Sequence, residues 1–205
     1  MSSDPDDHWS NSPGWLVILS GPSGVGKSTI AARLLERMCG RLERSISVTT
    51  RPMRPGEVEG VDYHFVTADE FGELKGDLLE SAVVHGFAYG TPAAPARRAM
   101  ARGRCVLLVI DVQGGLQVMR AISRVVSIFL EPPSMQALET RLRARATEDA
   151  AALERRLANA RAELLVKSQY QYQVVNDDLD RAVEQITSIL SRCGTPEEPR
   201  DDRGA

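Results

Sequence analysis

Apolar residues along the chain alternate between two spacings. The runs Trp15 to Ser20, Cys105 to Ile110 and Val125 to Leu130 are short and nearly unbroken, the pattern of strands covered on both faces of a parallel sheet. Between them, apolar residues fall three and four apart. Thr29 to Met38 carries Ile30, Ala31, Leu34, Leu35 and Met38, and Asp178 to Arg192 carries Leu179, Ala182, Val183, Ile186, Ile189 and Leu190; each predicts a helix with one buried face. Further helices are predicted over about Ala93 to Arg102, from near Gln113, from a Ser134 cap to about Ala144, and from about Glu148 to Gln169, with a short last strand at Val174-Val175-Asn176. Strands alternating with helices predict an α/β fold built on a doubly wound parallel sheet. Ligands of such sheets gather at the C-terminal strand tips.

The alternation breaks between Gly60 and Pro92. Val61-Asp62-Tyr63-His64-Phe65-Val66 predicts a half-exposed antiparallel strand, Ala68 to Lys75 a short helix, and the segments around Glu80 and Tyr89 two more strands. This stretch reads as an inserted mixed α/β lobe. The division expected is a tail over 1–13, one domain over 14–193 and a second tail over 194–205. Within the domain, 14–46, 93–133 and 170–193 form the core, about 47–92 the lobe and about 134–169 a helical lid.

The loop after the first strand carries the most specific chemistry. Gly21-Pro22-Ser23-Gly24-Val25-Gly26-Lys27-Ser28-Thr29 has the spacing G-x-x-x-x-G-K-[ST] of the phosphate loop of nucleoside triphosphate enzymes. Glycines let backbone N–H groups turn inward around a phosphate, and the helix that follows adds its positive end. Lys27 supplies a point charge for the outer phosphates, and the Ser28 hydroxyl can ligate the accompanying magnesium. Asp111, at the tip of a buried strand, stands where magnesium is held in such enzymes, or else it caps the next helix.

Arginines supply the second theme. Arg51 and Arg54, in a Pro- and Gly-punctuated loop rich in hydroxyls, suit a second anionic ligand. Arg141 and Arg145 share a helix face and suit a lid closing over phosphates, whereas Arg143 stands four residues after Glu139 and pairs with it on the exposed side.

The net charge of −3 and pI of 5.7 exclude a general nucleic-acid binder, so phosphate affinity must be local. The 205 residues should bury roughly 70% of the unfolded surface. Cys39, Cys105 and Cys193 have no metal-site spacing and read as reduced thiols. No apolar run approaches membrane-spanning length and no export signal opens the chain, so the cytoplasm is the expected compartment, with no membrane partner.

Together these motifs resemble guanylate kinase of the bacterial type, a phosphate-loop nucleoside monophosphate kinase. The likeness runs from about Leu16 to Ser191. It rests on the phosphate loop, Ser47-Val48-Thr49-Thr50-Arg51 with Arg54-Pro55-Gly56-Glu57, Asp62-Tyr63-His64-Phe65, Tyr89-Gly90-Thr91-Pro92, Asp111-Val112-Gln113-Gly114, Arg141 to Arg145, and Val175-Asn176-Asp177-Asp178. The resemblance implies transfer of a phosphoryl group from ATP, with Mg²⁺, to GMP. It gives the GMP phosphate to Arg51, Arg54, Tyr63 and Tyr89, and guanine to Ser47, Glu80 and Thr91, with Asp111 beside the acceptor. Lys27, Arg141, Arg145 and Arg156 become the stabilisers of the moving phosphoryl group, and Asn176 lies near the adenine of ATP. A monomer or homodimer is implied.

The chain departs from the family pattern in three places. Val109 stands where an acidic residue is usual, Phe87-Ala88 replaces Asn-Tyr or Asn-Leu, and Ala146 replaces a glycine after the second lid arginine. Val109 leaves open an alternative, a guanylate-kinase-like binding module with weak or no turnover. A kinase acting on a sugar phosphate is a third reading, under which Ser47, Glu80 and Thr91 would lack a purpose.

Overall fold

The structure, a computed structural model, describes residues 9, 12–84, 86–145 and 150–192. In chain order its elements are β1 (Leu16–Ser20), α1 (Lys27–Arg37), β2 (Leu42–Arg44), β3 (Val48–Thr49), β4 (His64–Phe65), α2 (Ala68–Leu74), β5 (Leu78–Val84), β6 (Phe87–Pro92), α3 (Ala93–Ala101), β7 (Cys105–Val109), α4 (Val112–Ala121), β8 (Val125–Glu131), α5 (Met135–Arg145), α6 (Ala150–Leu164), β9 (Tyr172–Val175) and α7 (Leu179–Arg192). Five strands form a parallel sheet in the order β2-β7-β1-β8-β9, and four form a smaller mixed sheet in the order β4-β3-β6-β5.

β1 occupies the centre of the larger sheet, paired in parallel with β7 and β8. Its side chains alternate between two cores, as a strand buried on both faces must. Val17 and Leu19 pack with Ile30 and Leu34 of α1 and Val183 and Ile186 of α7. Leu16 and Ile18 pack on the other side with Ala96 and Met100 of α3, Val118 of α4 and Phe129 of β8. A third cluster, Leu138, Leu142, Leu153, Leu157 and Ala160, joins α5 to α6.

The structure corrects three expectations and adds one strand, β2, that no expectation covered. β2 gave no apolar run because it is a sheet edge in which only Leu42 is buried. The strand expected over 61–66 shrinks to His64–Phe65 and runs parallel to β3, not antiparallel. Its first half is a turn: Val61 and Asp62 donate their N–H groups to the Val58 carbonyl, and the Asp62 carboxylate takes the Val58 N–H at 2.9 Å. The helix expected to reach Gln169 ends at Leu164, and a 3₁₀ turn, Lys167–Gln169, brings Tyr170 edge-on to Phe129 at 5.2 Å. Trp9, inside the stretch read as tail, is buried in the second core with the Arg97 guanidinium 5.0 Å above its ring. Residues 193–205, including Cys193, lie outside the described residues. Among the described residues no helix is long and apolar enough to cross a membrane.

Phe129 is fully buried and touches Tyr170. Phe129→Ala is expected to cost about 3–5 kcal/mol in denaturant unfolding through the cavity left behind. Val175→Ala, at a half-exposed site, should stay within about 0.5 kcal/mol; equal losses would show that the second core does not carry the fold.

Candidate active site

The turn between β1 and α1 is shaped by three glycines with left-handed φ, Gly21 at 143°, Gly24 at 83° and Gly26 at 108°. Gly26 caps α1, and a Cβ there would meet the Asn176 side-chain nitrogen at 2.5 Å. The Asn176 amide is occupied: its Nδ2 donates to the Val25 carbonyl at 2.7 Å, a carbonyl also reached by Arg141 at 3.3 Å. Arg141 further donates to the Asn176 carbonyl at 2.9 Å. In a trans peptide, C=O and the next N–H point opposite ways. Pinning the Val25 carbonyl therefore directs the Gly26 N–H to the other side of the loop. Lys27 arches back, donating from Nζ to the Gly21 and Pro22 carbonyls at 2.6 and 3.0 Å. Ser28 and Thr29 are exposed in the first turn of α1.

One group at this loop escaped the sequence reading. Glu163 of α6 accepts the Ser23 N–H and faces Lys27 and Asp111. Burial pushes its carboxyl above the usual range, with Lys27 pulling the other way. The available signal was its spacing: Glu163 stands three residues beyond Ala160, on the stripe that begins at Leu153 and Leu157. A carboxylate on an otherwise apolar stripe has a partner in the fold.

Asp111 follows β7 and caps α4, its Oδ1 accepting from Gln113 N at 2.6 Å and Gly114 N at 3.1 Å. The capping role weighed against a metal role is thus real, and it fixes the carboxylate in place. Its charge helps to raise the pKa values of Glu80, Glu163 and Tyr170. Ser20 fastens the same corner, its Oγ donating within 3.1 Å of both the Ile110 and Asp111 carbonyls.

Beyond Asp111, the smaller sheet presents two polar clusters. In the first, Thr91 donates to the Glu80 carboxylate at 2.6 Å, and the Ser47 and Thr91 hydroxyls lie 3.3 Å apart. All three side chains are buried. Burial drives the Glu80 carboxyl up to about 7; the Thr91 bond opposes that shift and Asp111 adds to it. In the second, buried Arg51 makes a two-pronged pair with Glu57 at 2.7 and 3.0 Å and donates from Nε to the Tyr89 hydroxyl at 3.2 Å. Its guanidinium lies 5.5 Å from the Tyr63 ring and 5.7 Å from Phe65. Burial, the largest single influence, would raise the Glu57 carboxyl, but the bonds and charges of Arg51 and Arg54 together outweigh it and hold the group low. Arg54 is exposed, and its N–H donates to Glu57 at 2.8 Å. Tyr63 and Tyr89 meet edge to face at 5.9 Å, and burial raises the Tyr63 phenol.

Of the arginines after β8, Arg143 pairs with Glu139 as expected from the spacing. Arg156 is half-buried on α6, Arg145 ends α5, and Ala146 lies outside the described residues. Val109 is partly buried and packs on the first core. The Phe87-Ala88 departure has a physical account. Position 88 acts through its backbone, the carbonyl accepting from Thr50 N and Thr49 Oγ1, both at 3.0 Å, and the N–H donating to Thr50 Oγ1 at 2.9 Å.

A family profile described as guanylate kinase matches residues 14–193. The guanylate kinase of Chelativorans sp. is 49% identical over 181 residues, covering 87% of this chain and 83% of its own. That of Gloeobacter violaceus is 49% identical over 186 residues, covering 90% of each. Among solved structures, the guanylate kinase of Anaplasma phagocytophilum is 37% identical with a TM-score of 0.75, over 91% of this chain and 89% of that one.

Two outcomes test this geometry. Gly26→Ala combines an unfavourable φ with a 2.5 Å clash on Asn176, so it should weaken nucleoside triphosphate binding at least tenfold in calorimetry; unchanged affinity would show that the loop accommodates a Cβ. Glu80 titrates at about 7 against an ordinary 4.5. A raised carboxyl adds stability below 4.5 that is lost as pH rises through 7, at most about 3 kcal/mol. Glu80→Gln is therefore expected to unfold later than the parent at pH 8 and close to it at pH 5, and the reverse order would show Glu80 ionised at little cost.

Proposed function

The chain belongs to the guanylate kinase family, and from that membership we infer its reaction: it is a guanylate kinase that phosphorylates GMP with ATP, yielding GDP and ADP. The assignment of residues to the two nucleotides is our proposal. One observation carries it: Ser20, the last residue before the phosphate loop, holds the Asp111 carbonyl at 3.1 Å, and Asp111 caps the helix whose Gly114 lies against the Glu80 carboxylate. Two sites suited to two nucleotides thus share one corner.

In this reading, Gly21 to Thr29 and Asn176 hold ATP, Asn176 by setting the shape of the loop. Arg51, Arg54, Tyr63 and Tyr89 take the GMP phosphate, the first held ready by Glu57. Guanine differs from adenine in offering an N1–H beside an exocyclic amine. The Glu80 carboxylate accepts that pair, with Thr91 and Ser47 beside it, and paired contacts of this kind discriminate by about 1–3 kcal/mol. Lys27, Arg141, Arg145 and Arg156 stabilise charge on the phosphoryl group in flight, a task worth roughly 10³–10⁵ in rate for one well-placed arginine. The acceptor needs no general base, because a phosphate monoester loses its second proton near pH 6. Position and electrostatics carry the step.

The donor set fits Mg²⁺ held mainly by phosphates. Among the described residues no three His, Cys, Asp or Glu gather as a cage, and magnesium bound with nucleotides takes only one or two protein donors. We propose the exposed Ser28 hydroxyl as its ligand, with Asp111 acting through water. When bound, the ion neutralises phosphate charge. Neither competing reading finds support: the loop keeps Gly26, Lys27 and Ser28, and the three buried polar groups suit a purine edge rather than a sugar.

Coupled detection of ADP with GMP, dGMP, AMP and sugar phosphates should show turnover with the guanine nucleotides alone. Turnover with a sugar phosphate only, or tight GMP binding without turnover, would replace the reading. Lys27→Met should lower kcat at least a hundredfold. Because guanine requires ionised Glu80, KM for GMP should rise as pH falls below 7, by up to about tenfold per pH unit, while KM for ATP changes little. The rise at pH 6–7 should vanish in Glu80→Gln; persistence there would assign it to another group.

A further inference from the structure

β5 is an edge of the smaller sheet, so one side of its backbone lacks a neighbouring strand. At Ser81 that side is taken by a side chain from the core. Gln117 of α4 donates from Nε2 to the Ser81 carbonyl at 2.8 Å and accepts the Ser81 N–H on Oε1 at 3.3 Å. A primary amide can do both at once, as the backbone of another strand would.

Three residues earlier, on the same face of α4, is Gly114. It is buried, and a Cβ added there would meet Glu80 Oε2 at 2.4 Å and Cδ at 2.9 Å. The Glu80 carboxylate therefore lies directly on the helix backbone, in a space only glycine leaves. Adjacent residues of β5 are thus held by adjacent positions of one helix face. Ser81 is clasped by Gln117, and Glu80 is seated on Gly114. Asp111, three residues further back, caps the same helix.

We propose that Gln117 is a specificity-determining positioning residue. By fixing the Ser81 backbone against α4, with Gly114 leaving room, it places the Glu80 carboxylate where a purine bearing a 2-amino group is preferred to one without. This rests on the reading of Glu80 as the guanine contact. Gln117 touches no substrate. It acts through the strand, and loss of its two hydrogen bonds lets β5 slide on α4 and blurs the placement of Glu80. Apart from Asp111 at the cap of α4, two turns from Gln117, the residues proposed for ATP lie on other elements and should not register the change.

The test compares GMP with IMP, which lacks the 2-amino group, as acceptors for the full chain and the variants Gln117→Met, Gly114→Ala and Glu80→Gln, with melting temperatures measured alongside. Gln117→Met keeps length and bulk while removing both hydrogen bonds. It should raise KM for GMP about three- to tenfold, as expected for one or two lost hydrogen bonds, and shrink the GMP-over-IMP preference by a similar factor. Its kcat and KM for ATP should stay within about twofold. Gly114→Ala, which displaces the carboxylate itself, should shrink the preference further. In a Glu80→Gln background Gln117→Met should add nothing, the mark of two residues acting as one unit. Equal changes for GMP and IMP, or none, would overturn the proposal, since a merely structural prop affects both acceptors alike. If Glu80→Gln erases the preference and Gln117→Met does not, the role of Gln117 falls while that of Glu80 stands. If Glu80→Gln itself leaves the preference intact, the assignment of Glu80 falls and this proposal with it.

Discussion

The phosphate loop depends on the Val25 carbonyl being tied down. Asn176 holds it at 2.7 Å and Arg141 reaches it from α5, so three distant segments, 25, 141 and 176, meet at one peptide group. The consequences run both ways along the chain. On the loop side, the pinned carbonyl sets the direction of the Gly26 N–H. On the sheet side, it requires β9 to end just where Asn176 can turn back, which the Asn176 N–H secures by donating to the Glu131 carbonyl at 2.8 Å. An arginine proposed for phosphoryl transfer thus also braces the loop proposed to hold the donor phosphates. Its two guanidinium contacts are to carbonyls, neutral acceptors that leave its charge uncancelled.

The second principle of the site is how its buried charges are held before any nucleotide arrives. Burying an unpaired ion costs several kcal/mol, and the chain meets that cost differently at each position. Arg51 is paired outright with Glu57, and the same carboxylate anchors the Arg54 N–H, so one acidic group ties together the two arginines of the loop. Glu80 has no cation beside it and is held by a hydroxyl instead, which leaves its proton affinity high enough to change near neutrality. Glu163 faces Lys27 across the loop and takes a backbone N–H. Paired, half-neutralised and cation-facing carboxylates thus occur at three positions, Glu57, Glu80 and Glu163.

The sequence made the core legible because its strands are buried on both faces and therefore apolar without interruption. The phosphate loop was equally legible, since its glycine spacing is dictated by backbone geometry that no other residue satisfies well. What escaped had weak local signal. β2 is a short edge with one buried side chain, so it carries no run. His64–Phe65 pairs in parallel with the strand just before it, β3, and alternation alone does not report strand direction. Glu163 and Gln117 lie on helices as ordinary polar residues, and only the approach of another element reveals what each binds. Trp9 escaped because an acidic, polar setting hides a single aromatic that packs elsewhere.

The first two turns of α4 then link the two proposed nucleotide sites. Asp111 caps it at the tip of β7, where the phosphate loop and Glu163 converge. Gly114 and Gln117 face the smaller sheet, and on the opposite side Gly115 comes so close to the Tyr170 hydroxyl and Ser20 that an added Cβ would stand 2.3 and 2.8 Å away. A helix start packed this tightly on two sides cannot rotate without disturbing both. The loss of a carboxylate at Val109 falls outside this wedge, on a side chain that faces the first core. The departure from the family pattern therefore leaves intact the frame proposed to align donor and acceptor. Because direct phosphoryl transfer draws on positioning as well as electrostatics, a valine at 109 leaves the positioning half of the proposed mechanism in place.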